Sequence, residues 1–165
     1  MKKTAAALFL TAALMIVSSL SALALISSPS ELNFKAVTMD KLSNYDILSL
    51  VNKSDLVGER LNNFRMLTAR YQNDVMQAKE SLLGFYDQAE SVNRLADISN
   101  AEKELQMNRI YQDADAILYD IDSKSINYLY ALKNFMPTVT YSKFVKKFSN
   151  FYNELHVTNR EVKLK

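Results

Sequence analysis

The sequence predicts an all-α fold, in which a long antiparallel helical hairpin and a shorter third helix form a coiled-coil-like three-helix bundle. Only two glycines and two prolines occur in 165 residues, and 48% of the residues are hydrophobic. Turns depend on glycine and proline, so their scarcity favours long helices with few connections. Beyond about residue 50, apolar side chains recur at alternating spacings of three and four. This period is typical of one buried stripe on a helix.

The first predicted helix runs from about residue 50 to Ile98. Two interleaved series with a seven-residue repeat form its stripe: Leu50, Val57, Phe64, Tyr71, Ala78, Phe85 and Val92, and Ser54, Leu61, Thr68, Val75, Leu82, Ala89 and Ala96. Twelve of these fourteen positions are apolar or aromatic. The stripe therefore predicts the seam of a bundle or coiled coil.

The second predicted helix runs from about Ala101 to Met136. Ser99 and Glu102 have the spacing of a capping box, which marks the start of a helix. Its stripe is Met107, Tyr111, Ala114, Leu118, Ile121, Ser125, Tyr128, Leu132 and Phe135. Because the connection between the two helices is short, we expect them to be antiparallel neighbours. We interpret the four aspartates beside this stripe as a solvated face rather than a metal site; they are Asp113, Asp115, Asp120 and Asp122.

Pro137 ends the second helix, and a third predicted helix extends to about residue 157. Residues 138–165 carry six basic and two acidic side chains. The candidate residues of this basic, aromatic helix are Tyr141, Lys143, Phe144, Lys146, Lys147, Phe148, Phe151 and Tyr152. Such a helix can bind a membrane surface or an acidic partner. The alternative, which the helical period favours, is that the aromatic side chains belong to the core and the helix docks on its own acidic hairpin.

The N-terminus has the features of an export signal. Lys2 and Lys3 precede an apolar stretch over residues 5–17, and Ala22 and Ala24 satisfy the small-x-small rule for cleavage. This start resembles a bacterial secretory signal peptide of the outer-membrane-protein type, which implies cleavage after Ala24. The alternative is an uncleaved anchor, because residues 5–26 carry no charge and roughly 20 apolar residues can span a bilayer.

These features divide the chain into four parts. Residues 1–24 are the predicted signal peptide, and residues 43–157 are the predicted helical bundle. Residues 25–42 contain Pro29, several serines and no clear period, and we interpret them as a linker or mobile arm. Residues 158–165 form a polar basic tail, for which we expect fraying.

The composition disfavours most catalytic chemistry. The chain has no cysteine and one histidine, His156, so thiolate chemistry and multi-histidine zinc sites are excluded. No nucleotide-binding or nucleophile motif is present. Loss of Lys2 and Lys3 with the signal peptide would leave equal numbers of basic and acidic residues, which disfavours nucleic-acid binding. We expect no enzyme activity, no metal and no cofactor.

The third predicted helix is shorter than the first, so we expect part of the seam to stay uncovered. Exposed apolar stripes mark partner contacts. We therefore expect a periplasmic or secreted protein that works through protein contacts, as an adaptor, a chaperone-like holder or a subunit of a secretion or surface assembly. Its partner would be another protein or a second copy. The expected seam and interaction residues are Phe64, Tyr71, Phe85, Tyr111 and Tyr128. The alternatives are an inner-membrane-anchored sensor or envelope-bridging protein, and a membrane-active secreted protein.

Overall fold

The structure is a computed structural model that describes residues 26–52 and 54–162, with the backbone alone from residue 152 onward. Its α-helices are α1 (Pro29–Ser43), α2 (Glu59–Arg94), α3 (Asn100–Phe135) and α4 (Thr138–Val162), and a 3-10 helix covers Ile47–Leu50. No strand occurs within these described ranges. The predicted all-α class is confirmed. The three-helix arrangement is not, because an additional helix, α1, precedes the two long ones.

The two long helices, α2 and α3, pack against each other in opposite directions. The hydroxyls of Thr68 and Tyr128 lie 2.9 Å apart, and those of Tyr71 and Ser125 lie 3.0 Å apart. Near the connection, the Lys103 amine donates to the carbonyl of Asn93 at 3.4 Å. Partner numbers fall on α3 as they rise on α2, so the pair is antiparallel.

A capping box starts α3 at the place that the sequence predicts. The Ser99 hydroxyl accepts the backbone N–H of Glu102, and the Glu102 carboxylate accepts the backbone N–H of Ser99. The Ser99 N–H and hydroxyl both donate to the Glu102 carboxylate, and these bonds to its charged form lower the pKa of Glu102. Two backbone donors that the helix itself cannot satisfy thereby gain partners.

The prediction of a linker or mobile arm over residues 25–42 is wrong for its described part, because Pro29–Ser43 form α1. Ser28 caps this helix by accepting the Glu31 N–H, and Pro29 occupies the first turn, where its missing N–H costs nothing. The Glu31 carboxylate accepts the backbone N–H of Ser27 at 2.7 Å. The serines and the proline, which we interpreted as loop residues, are therefore start signals of a helix.

Helix α1 packs antiparallel to α2. The Lys79 amine lies 2.6 Å from the Asp40 carboxylate, and the Gln72 side chain donates to the carbonyls of Ser43 and Tyr45. Leu32 and Met39 of α1 are fully buried. Helix α1 therefore covers the half of the seam that lies nearer to the α2–α3 connection.

Helix α4 covers the other half of the seam. The ring of Phe144 makes edge contacts with Phe64 and Tyr128, and Phe148 makes them with Tyr71 and Tyr128. Phe144 and Phe148 are fully buried. The expectation of an uncovered stripe on the first long helix is therefore wrong. That expectation was based on the short length of the third predicted helix, but α1 covers the part of the seam that α4 does not reach.

Two helix boundaries differ from the prediction. Helix α2 begins at Glu59 rather than near residue 50, because Gly58 has φ 58 and ψ −132, a conformation that only glycine adopts readily. Helix α4 continues to Val162, beyond the predicted end at residue 157 and into the predicted tail. Neither proline nor glycine occurs between residues 138 and 162 to stop it.

The two glycines provide a matched pair of stability measurements. We expect Gly58→Ala to lower the free energy of unfolding by roughly 1–3 kcal/mol, because alanine resists this backbone conformation. We expect Gly84→Ala, inside α2, to raise it by about 0.5–1 kcal/mol. A Cβ atom at either position meets no atom within 4 Å, so steric clashes do not contribute to either change in the free energy of unfolding. Urea unfolding of both variants measures the effects, and equal effects would contradict the assigned conformations.

Candidate functional site

The centre of the bundle contains a layer of tyrosines whose hydroxyls are all bonded. The rings of Tyr71 and Tyr128 stack with centroids 4.5 Å apart and planes 3° from parallel. Their hydroxyls bond to Ser125 and Thr68, respectively. Burial raises the pKa of Tyr128, although the bond to Thr68 acts in the opposite direction. Thr68, a polar exception in the predicted stripe, is thus explained by this bond, and the layer has a structural role.

A buried acidic group lies between α3 and α1. Asp122 is 6% exposed and Lys35 is 5% exposed. Burial raises the pKa of Asp122 to about 7, and the positive charge of Lys35 opposes this shift. Our assignment of Asp122 to a solvated face is therefore wrong, because α1 covers it. We interpret this buried pair as part of the docking of α1.

The raised pKa of Asp122 makes stability depend on pH. The folded chain binds a proton at Asp122 more readily than the unfolded chain, whose carboxyl has a pKa near 3.8. The carboxyl's favourable contribution is thus fully present below about pH 4 and is lost as the pH rises through 7. We expect Asp122→Asn to lack this dependence. From pH 4 to pH 8, its free energy of unfolding should rise relative to that of the unmodified chain by roughly 4 kcal/mol.

Urea unfolding at each pH measures this difference. Asp113→Asn is the control, because Asp113 is an aspartate of the same helix but is exposed. Parallel pH profiles for Asp122→Asn and the unmodified chain would contradict the assigned burial.

The five predicted seam residues lie inside the chain's own core. Phe64, Tyr71, Tyr111 and Tyr128 are buried, and Phe85 is half-buried against the same core. The expectation that these residues form a surface for a separate partner is therefore wrong. The helical period that identified them is the period of an internal core. A partner could reach them only after α1 or α4 undocked.

The basic, aromatic helix divides into two faces. Tyr141, Phe144 and Phe148 are buried, and Phe151 stacks on Tyr45 with ring centroids 3.5 Å apart. The lysines Lys143, Lys146 and Lys147 are exposed. The Lys147 amine also donates to the carbonyl of Leu50 at 3.2 Å. The aromatic side chains thus belong to the core, as the favoured interpretation expected, and the side chain of Tyr152 lies outside the described ones.

Two shallow grooves lie on the described surface. One, of about 300 Å³, lies between α2 and α3 and contains Asp74 and Lys124, which form an ion pair at 3.3 Å. The other, of about 410 Å³, lies beside the 3-10 helix and contains Phe64 and Arg65. Across the residues that the structure describes, no three side chains of His, Cys, Asp or Glu type are grouped to hold a metal ion. Neither groove presents a nucleophile with an adjacent base.

The outer face of α3 carries a continuous stripe without charge, which our sequence reasoning missed. This outer stripe consists of Ala101, Leu105, Asn108, Gln112, Ala116, Tyr119, Ser123, Ile126, Tyr130 and Asn134. All are exposed except Ile126, which is half-buried. Leu105, Tyr119 and Tyr130 are 55%, 59% and 46% exposed. The spacings of three and four follow one side of a straight helix, so the stripe is a continuous surface.

The predicted signal peptide, including Ala22 and Ala24, lies outside the described residues. The first described residue, Ile26, is buried, and its N–H donates to the Asp115 carboxylate at 3.2 Å. Cleavage after Ala24 would therefore leave every contact described above in place. Of the helices in the described ranges, none has the length and apolar character required to cross a membrane.

Comparison of the chain with protein-family models, with curated proteins and with solved structures finds no match. The assignment of function therefore depends on the chemistry and geometry of the chain itself.

Proposed function

We propose that this chain is an exported, non-catalytic helical protein that acts through protein–protein contacts, and that the outer stripe of α3 makes them. The proposed scaffold is the long α2–α3 hairpin with the shorter α4 docked along it, stiffened by α1. The observation that carries the proposal is the exposure of Leu105, Tyr119 and Tyr130 on one uncharged helix face. Surface helices normally place charged side chains on the face opposite to the core.

The composition of the outer stripe supports a contact surface. Tyrosine is enriched at protein interfaces, because one ring offers a large apolar area and a polar tip at a small entropic cost. Charged residues are depleted at the centres of interfaces, because their desolvation is costly. From Leu105 to Tyr130 the stripe extends for about 38 Å at 1.5 Å per residue. That length fits the side of another helix.

Site-specific photo-crosslinking in exporting cells tests this proposal. A photoreactive amino acid replaces Tyr119 in the full chain, and a second variant carries it at Gln77, an exposed position on α2. We expect discrete protein adducts from position 119 and none from position 77. Equal adduct patterns, or no adduct at position 119, would contradict the proposed contact surface.

Export is tested separately by the intact mass of the protein recovered outside the cytoplasm. We expect a mass that lacks residues 1–24. Retention of those residues would instead favour the membrane-anchored alternative, in which the same bundle is tethered to the inner membrane. The two results lead to different compartments but leave the contact surface on α3 unchanged.

A further inference from the structure

The outer stripe has the residue pattern of a surface that pairs with itself. We propose that two copies of the chain associate antiparallel along their α3 helices, about a two-fold axis that passes near Ser123. This inference rests on the proposed function, since it names a second copy of the chain as the occupant of the same surface. A two-fold axis requires each residue to face its counterpart at an equal distance on the other side of the axis.

The sizes of the side chains match in this register. Ala116 and Tyr130 lie seven residues to either side of Ser123, so the largest side chain of the stripe would face one of the smallest. Gln112 and Asn134 lie eleven residues to either side, so two amides that can bond to each other would meet. Alternation of large and small side chains lets two helices approach closely.

Ser123 is suited to the centre of such a contact. Its hydroxyl donates to the Tyr119 carbonyl of its own helix at 3.1 Å, so burial would leave no unsatisfied donor. Its side chain is small and exposed. Two helix axes about 9–10 Å apart, the upper part of the usual range because tyrosines lie in the contact, with Cα atoms about 2.3 Å from each axis, place facing Cα atoms roughly 4.4–5.4 Å apart.

The charges beside the stripe are complementary in the same register. On one flank, Asp115 would lie within two residues of the position that faces Lys133 of the second copy, and the relation occurs twice by symmetry. On the other flank, Asp120 would face Asn127 to within one residue, so no like charges meet there. A parallel pairing would instead bring Asp115 of one copy beside Asp113 of the other, which is repulsive.

The size of the contact predicts a weak dimer. In this register the two α3 helices overlap over residues 111–135, and a face about 36 Å long and about 10 Å wide gives roughly 360 Å² per copy, or about 700 Å² in total. Stable, specific complexes bury at least about 1,200 Å². We therefore expect association in the micromolar range or weaker, which suits a protein that is concentrated in one compartment or assembly.

The absence of cysteine from the chain allows a direct test by a single engineered thiol. In the full chain, oxidised under mild conditions, we expect Ser123→Cys to give a disulfide-linked dimer for at least half of the protein. Disulfides require Cα atoms about 4.4–6.8 Å apart, the separation expected at the axis. Ser91→Cys is the matched control: Ser91 is also exposed on a long helix, and its hydroxyl also donates to its own helix.

Three further substitutions test the antiparallel geometry of the proposed dimer. Gln112→Cys should stay monomeric in the antiparallel arrangement, because it faces Asn134, whereas a parallel pair would link it. Lys133→Glu should lower the yield of the Ser123→Cys dimer at least fivefold, and adding Asp115→Lys should restore it. Circular dichroism confirms that each variant is folded.

The proposed dimer would be overturned if Ser123→Cys linked no better than Ser91→Cys, or if Gln112→Cys linked as well. Photo-crosslinking at position 119 then distinguishes a failure of the proposed dimer from a failure of the proposed function. Adducts with a different protein alone would retain the proposed function and reject the dimer. Adducts of twice the chain's mass would support both.

Discussion

Leu32→Ala is expected to lower the free energy of unfolding of the whole bundle by roughly 2–5 kcal/mol, the usual cost of truncating a fully buried leucine. Leu32 lies on α1 and has 0% exposure. Its removal would leave a cavity between α1 and the hairpin. The effect would be small if residues 29–43 were a linker, because a linker has no buried contacts to lose.

Val37→Ala is the control for this measurement. Val37 lies on the same helix but is 44% exposed, so we expect a change within about 0.5 kcal/mol. Both substitutions introduce alanine into the same helix. The difference between their effects on the free energy of unfolding therefore reports burial rather than helix propensity. Urea unfolding followed by circular dichroism gives both values, and equal costs for the two variants would reject the docking of α1.

Phe144→Ala is expected to cost about 3–5 kcal/mol, the range for deletion of a buried aromatic ring. Phe144 contacts Phe64, Tyr128 and Phe148, with ring centroids 5.8, 6.3 and 5.4 Å away. Its loss would remove contacts to three other rings, each arranged in an edge or stacked geometry that adds to the burial energy. The midpoint temperature of thermal unfolding should therefore fall strongly.

Val139→Ala is the matched change for α4, because Val139 is 66% exposed. We expect it to leave stability nearly unchanged. A small effect of Phe144→Ala would support the membrane-active interpretation, in which the aromatic face of α4 is available to a lipid surface. The large effect expected here would mean that membrane binding through this face requires the bundle to open first.

Periodicity was sufficient to predict the long elements, because their buried faces are almost purely apolar. The capping box of Ser99 and Glu102 places the start of α3 to within one residue, whereas the stripe of α2 continues past Gly58 and misplaces the start of that helix. Helix α1 was missed because Lys35 and Thr38 occupy buried positions and interrupt the apolar period. Ser28, Pro29 and Glu31 did contain a helix-start signal, but we gave more weight to the composition of the segment.

The candidate site was harder to predict than the fold. Our sequence reasoning looked for exposed apolar side chains on the strongest stripe, and that stripe proved to be internal. The outer stripe of α3 is defined mainly by the absence of charge, and its polar members Asn108, Gln112 and Ser123 hide its period from a hydrophobicity pattern. Only the exposure of Tyr119 and Tyr130 separates this surface from the core.

The central claim is that the chain closes its own seam and leaves the outer face of α3 for partners. Amide hydrogen exchange of the purified protein, resolved by peptide, tests it most directly. We expect the amides of α1 over 32–42 to exchange as slowly as those of α2 over 75–89, because the two segments bury each other. Exchange of residues 32–42 at the rate of an unstructured peptide, with α2 still protected, would contradict the claim.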